Sequence, residues 1–229
     1  MEKEEIVKDW KFLFEKYFLH RHPPIEPQVW REVARIKGDL FVDVGANVGM
    51  YSTRLSSHFR RIYAFEPNPN VLPVLKNRIN DSSRHNITIF PLALSDMNGQ
   101  AEFYIDPHAG FVGSAETLMP VFKYNPELEP GTGTGPAHTY IGKENVIVST
   151  ATYDSQVREM ADLVKIDVEG AEFKVLKGAK EALSQGKIRR IIVELHDKDA
   201  KDDLFGILTG YGFEVKQLDS HPRIFGSLP

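Results

Sequence analysis

Apolar residues follow two different periods along this chain. Between residues 3 and 19, Ile6, Val7, Trp10, Leu13, Phe14, Tyr17 and Phe18 recur at spacings near three and four, which predicts an amphipathic helix with an aromatic face. HRHPPIEP stops it, and a second short helix is predicted over 27–36. After Gly38 the pattern changes to short, nearly continuous apolar runs: LFVDVG (40–45), RIYAFEP (61–67), NITIFPLAL (86–94), LVKIDV (163–168) and IRRIIVEL (188–195). Strands buried on both faces read this way, and helical patterns separate most of these. The alternation predicts an α/β fold, a mostly parallel sheet with helices on both faces. A helix near 199–210, then FEVKQL and RIFGSL across the turn DSHP, predicts an antiparallel hairpin at the C-terminal edge.

One stretch breaks the rhythm. From AEFYI (101–105) to VIVSTATY (146–153) the sequence turns rich in Gly, Pro and Thr and includes NPELEPGTGTGP. This predicts an inserted hairpin with a long loop, in which GTGTG reads as a flexible connector. The expected organisation is an N-terminal helical extension (1–37) and one domain (38–229) that carries an insertion at 101–150.

Composition narrows the chemistry. The 229 residues, 41% hydrophobic, suffice for one sizeable core. No apolar stretch approaches the roughly 20 residues of a membrane span, and MEKEEIVKDW is too charged for a secretory signal, so a cytoplasmic location with no membrane partner is expected. The absence of cysteine excludes disulfides, thiolate zinc sites and cysteine nucleophiles, which leaves His, Asp, Glu or Asn for any metal. A formal charge of −4 gives no general attraction to phosphate backbones, and nucleic acid is not an expected partner. The aromatic N-terminal face is expected to cover a sheet edge or an oligomer interface, or to act as a substrate lid.

The candidate chemistry gathers at strand ends. FVDVGANVGMYS places Gly45 and Gly49 where the chain must turn tightly from the first strand into a helix. Glu66 ends the second strand some twenty residues on, where an acid accepts hydrogen bonds from both hydroxyls of a ribose. A dinucleotide site wants a glycine in the middle of that turn, where this chain has Asn47, so pyrophosphate is disfavoured. An adenosine without phosphate that carries a positive centre tolerates Asp43 and further carboxylates, and S-adenosylmethionine (SAM) has these properties. Asp96, after the third predicted strand, meets the adenine amino group or serves with Ser95 as a turn cap. A nicotinamide-type oxidoreductase and a non-catalytic nucleoside-binding module remain alternatives on the same sheet.

Asp167, at the carboxyl end of the fourth strand, is expected beside the methionine portion and the acceptor, with the sulfonium as partner for its charge. Glu172 reads as a first-turn acid favoured by the helix dipole, and Glu169 as either a site residue or a cap. Glu194 and His196, two apart at the end of the fifth strand, are expected on one side of it. His196 is the candidate base, or else a histidine that simply hydrogen-bonds at a strand end. Glu194 is read as orienting His196, binding acceptor hydroxyls, or joining His196 and Asp167 around a divalent metal, which the sequence permits without requiring. Ser114 and His108 in the insertion read as acceptor contacts or loop residues, and Arg60, Arg61, Arg189 and Arg190 as solvated strand entries.

Together FVDVGANVGMYS, AFEPNP, ALSD and KIDVEGAEFKVLKGA followed by IIVELH resemble the FkbM family of class I SAM-dependent methyltransferases over roughly residues 38–217. The resemblance implies a Rossmann-like sheet, a SAM site over strands one to four, and O-methylation of a sugar or other small-molecule hydroxyl. By position it implies that Asp43, Gly45, Asn47, Gly49, Glu66 and Asp96 line the cofactor, with Asp167 nearby. The aromatic N-terminal helices and the GTGTG loop have no counterpart in it.

Overall fold

The computed structural model describes residues 27–82, 84–105 and 144–229. The helix expected over 3–19, the GTGTG loop, His108 and Ser114 lie outside the described residues. In chain order, α1 (Pro27–Val33) precedes β1 (Gly38–Val44), α2 (Met50–Arg54), β2 (Phe59–Phe65), α3 (Leu72–Asp81) and β3 (Ile87–Phe90). Next come β4 (Ala93–Leu94), β5 (Gly99–Ile105), β6 (Glu144–Ala151), α4 (Tyr153–Gln156) and β7 (Leu163–Ile166). The chain continues through α5 (Glu172–Gly178), α6 (Lys180–Ser184), β8 (Arg190–Glu194), α7 (Lys201–Gly210), β9 (Glu214–Gln217) and β10 (Arg223–Ser227).

Seven strands form one sheet in the order β3-β2-β1-β7-β8-β10-β9. Pairing is parallel from β3 to β8, while β10 runs antiparallel to both β8 and β9. This is the mostly parallel, Rossmann-like sheet with an antiparallel C-terminal edge that the apolar runs predict. The predicted strand over 86–94 is divided, however. Pro91 cannot donate to a ladder, so β3 ends at Phe90 and β4 pairs with β6 in a separate sheet ordered β4-β6-β5. The stem of the inserted hairpin is present: β5 and β6 pair antiparallel from Gly99 opposite Thr150 to Ile105 opposite Glu144.

Side chains alternate across β1. Leu40, Val42 and Val44 pack with Val164, Ile166, Ile191 and Val193 beneath α5, α6 and α7. Phe41 points the other way, to Val29 and Val33 of α1, Ile62, Leu163, Ile192 and Phe225. Both faces are covered, which is why these strands read as continuous apolar runs. Following the second face by steps of two leads from Phe41 to Asp43 and from Leu163 to Lys165, and these two charged residues are register partners. Buried charges are tolerated only when paired. The apolar layer thus ends in ion pairs at the carboxyl edge, where β1 lies between β2 and β7 and the strand order reverses, the usual place for a ligand in such sheets.

Candidate functional site

The turn after β1 is built from left-handed residues: Gly45 has φ +76°, Asn47 +49° and Gly49 +80°. A Cβ at Gly45 would lie 1.8 Å from the Asp167 carbonyl oxygen, so the carboxyl ends of β1 and β7 approach this closely only over a glycine. Asparagine is among the few other residues that accept this conformation, which explains how Asn47 occupies the middle of the turn. Asp43 fastens the turn from below: its Oδ2 accepts from the Ser52 hydroxyl at 2.6 Å and from the Ser52 N–H at 3.1 Å. Asp43 is fully buried, and burial raises its pKa against the pull of Lys165 and Ser52. Asp43 thus supports the turn from a buried position directly beneath it.

Glu66 follows directly on β2. Its Oε2 accepts from the Asn47 N–H and its Oε1 from the Asn68 N–H, each at 2.8 Å, and each oxygen keeps lone-pair capacity for a further donor. Burial raises its pKa to about 7, against those two N–H donors. The Asn47 Oδ1 is buried without a hydrogen-bond partner. Gly45, Asn47, Gly49 and Glu66 thus form one rim. Asp96 is reached only after the step into the smaller sheet; it accepts from Ser95 Oγ at 3.2 Å and pairs with Lys177 of α5 at 3.1 Å. Burial opposes its charge, but Lys177 prevails and holds the carboxyl below its ordinary range.

The acids after β7 find partners inside the protein. Lys165 Nζ lies 3.0 Å from Asp167 Oδ2 and 3.8 Å from Asp43 Oδ1, and 4.9 Å from the centre of the Tyr51 ring. Glu169 has φ +55° and Gly170 φ +103°, a bend that turns the Glu169 carboxylate back toward His196. Glu172, 1% exposed, accepts from the Gly170 N–H at 2.9 Å and pairs with His196 Nδ1 at 2.8 Å. That pairing assigns the proton to Nδ1 and leaves Nε2 facing Glu169 Oε2 at 2.9 Å and Asp167 Oδ1 at 4.0 Å. Burial disfavours a charged ring, but Glu169 and Glu172 outweigh it and raise the His196 pKa to about 11. Burial raises that of Glu169 to about 7 despite His196. Asp167 shifts the other way, since Lys165 and His196 overcome its burial and lower its pKa.

Three side chains have partners that the sequence did not suggest. Asp167 has partners within the protein, Lys165 and His196. Glu172 does more than meet a helix dipole: it holds His196 Nδ1, one of the three roles considered for Glu194. Glu194 ends β8, and the alternation stops before His196. Its carboxylate is bidentate to its cross-strand neighbour Arg223, with both contacts at 3.0 Å, so it is spent on joining β8 to β10. Lys165 was missed altogether, although a lysine inside an apolar run with an acid two residues on was the available signal. At the opposite edge Arg60 and Arg61 pair with Asp39, Arg61 also with Glu159 at 2.7 Å, and Arg189 with Asp162 at 3.1 Å. These strand entries are ion-paired as well as solvated.

Comparison with known proteins places these features in a family. The sequence model of the Methyltransferase FkbM domain matches residues 43–215. The 31-O-demethyl-FK506 methyltransferase FkbM of Streptomyces tacrolimicus is 28% identical over 200 residues, covering 78% of this chain and 74% of that protein. The hexuronic acid methyltransferase AglP of Haloferax volcanii is 30% identical over 171 residues, covering 72% of this chain and 59% of that protein. The crystal structure of the methyltransferase FkbM from Methylobacillus flagellatus KT superposes with a TM-score of 0.57 at 16% identity, a likeness of fold, over 86% of this chain and 45% of the other. Since the matched span runs from Asp43 through the glycine turn, Glu66 and the acids around His196, the chain belongs to the FkbM methyltransferase family.

Proposed function

We propose that this chain is a SAM-dependent methyltransferase that O-methylates a hydroxyl of a sugar or other small polar acceptor. The observation that carries this reading is Glu66, a buried carboxylate fixed by two backbone N–H groups at the carboxyl end of β2 with both oxygens able to accept again. A ribose diol offers two donors of that kind. The fit extends to the unpartnered Asn47 Oδ1 and to the glycine cradle, which lets the ligand approach the backbone closely. On this reading Glu66 holds the ribose hydroxyls, Gly45, Asn47 and Gly49 form the floor, Asp96 lies toward the adenine, and Asp167 lies toward the amino-acid end. When bound, SAM supplies an electrophilic methyl group on a sulfonium.

Asp167, Glu169 and His196 form the acceptor side. Their role is to align the hydroxyl and, through the Glu169 carboxylate that His196 holds in place, to take up the proton it loses as charge develops on its oxygen. The relatives support an acceptor of this class, one being named for a hexuronic acid and another for a 31-O-demethyl compound. Incubation with SAM carrying a deuterated methyl group, together with hexuronic acids and other hydroxylated acceptors, tests the proposal by mass spectrometry. The expected product has exchanged one hydroxyl hydrogen for one labelled methyl. Label recovered on nitrogen or carbon, or on no acceptor from a cell extract, would contradict it. His196→Ala is expected to lower turnover by about 100-fold or more while leaving SAM affinity unchanged in calorimetric titration; unchanged turnover would remove His196 from the acceptor side.

A further inference from the structure

The geometry around His196 is unusual for a simple acid–base pair. His196 Nε2 and Glu169 Oε2 stand 2.9 Å apart as an ion pair, and both atoms are buried without a well-formed hydrogen bond. Asp167 Oδ1 completes a triangle, 4.0 Å from Nε2, and one donor atom from each of the three residues lies within 4.8 Å of the other two. Donors bound at roughly 2.1 Å to one octahedral ion are about 3.0 Å apart when adjacent and about 4.2 Å when opposite. The two sides that meet at Nε2, 2.9 and 4.0 Å, are close to these values.

Two further observations point the same way. A histidine that ligates a metal usually donates its other ring nitrogen to a carboxylate, and Glu172, 1% exposed, takes Nδ1 at 2.8 Å. Charge is also predominantly negative: Asp43, Asp167, Glu169 and Glu172 face Lys165 and His196 in ion pairs, with Arg223 also acting on Asp167.

We propose that Asp167, Glu169 and His196 together bind one divalent cation of the Mg²⁺ or Mn²⁺ class, with Glu172 as the positioning residue for the imidazole. The cation sits among Nε2, Glu169 Oε2 and Asp167 Oδ1 and displaces the proton from Nε2. Its open positions take the acceptor hydroxyl; because the cation occupies Glu169, the proton passes to water instead of to that carboxylate as the cation withdraws charge from the oxygen. This second part rests on the methyltransferase reading; the binding site itself does not. The donor set uses Glu169 where the sequence had suggested Glu194.

Mn²⁺ titration of the intact chain, read by calorimetry and by pulsed electron paramagnetic resonance, tests the site. One Mn²⁺ per chain is expected, with a nitrogen coupling from a directly bound imidazole. Glu169→Gln and His196→Gln should weaken binding at least tenfold, His196→Gln should remove the nitrogen coupling, and Glu172→Gln should weaken binding about 10–100-fold. Glu159→Gln, at the opposite edge, should change nothing. No Mn²⁺ bound at millimolar concentration, or bound Mn²⁺ without nitrogen coupling in the unmodified chain, overturns the proposal whatever the variants do. SAM titrated into the same samples separates the two ideas: SAM bound without Mn²⁺ sinks the cation alone, and Mn²⁺ bound without SAM sinks the cofactor reading alone.

Discussion

Replacing Gly45 by alanine is expected to lower the stability of the protein by about 3 kcal/mol or more and to abolish SAM binding in whatever still folds. The left-handed backbone at φ +76° penalises any Cβ by about 1–2 kcal/mol. The new methyl would also meet the Asp167 carbonyl oxygen at 1.8 Å, a clash with main chain that no rotamer relieves; forced overpacking adds roughly 1–3 kcal/mol. Relief requires β1 and β7 to separate at their carboxyl ends, and that motion displaces Asn47, Glu66 and Asp167 together. Gly170→Ala is the control. It also carries a positive φ, +103°, but its Cβ would have nothing within 4 Å, so only the conformational penalty applies. Urea denaturation of the two variants should show a clearly larger loss for Gly45→Ala; equal losses would mean that the close approach is not what requires glycine.

Glu66→Ala is expected to reduce SAM affinity by about 100-fold or more. Hydrogen bonds to a charged group contribute about 1.5–3 kcal/mol each, and two of them correspond to at least two decades in Kd. Alanine also strands the Asn47 and Asn68 N–H groups, so Glu66→Gln is the cleaner partner, since it keeps the size and one acceptor oxygen. The same residue makes a pH prediction. Burial raises Glu66 to about 7, above its value in the unfolded chain, so the folded protein holds this proton more tightly. Its contribution to stability is then present below the unfolded pKa and is lost as pH rises through about 7. Thermal melts of wild type and Glu66→Gln between pH 5 and 8 should show the variant gaining on the wild type as pH rises. A constant difference would mean that Glu66 titrates as it does in the unfolded chain.

The sheet was legible because its strands are buried on both faces, and burial leaves a continuous apolar signature in LFVDVG or IRRIIVEL that survives without any knowledge of contacts. Pro91 shows where that signature misleads. The run over 86–94 looks continuous, yet one missing N–H sends Ala93 and Leu94 to another sheet. Glycines and acids at strand ends were readable for a similar reason, since the turn after β1 imposes its geometry within five residues. Pairings across the sheet were not. Whether Glu194 or Glu172 reaches His196 depends on where β8 stops and on which residue of β10 lies opposite Glu194, and neither is a local property. The Asp43–Lys165 pair likewise follows from the β1–β7 register, which joins segments more than a hundred residues apart.

The central claim is that the rim at the carboxyl edge of β1 and β2 holds SAM. Calorimetric titration of the unmodified chain with SAM, and separately with NAD, tests it most directly. Stoichiometric binding of SAM with no heat from NAD is the predicted result. Binding of NAD with none of SAM, which the alternative of a nicotinamide-type oxidoreductase on the same sheet would produce, contradicts it.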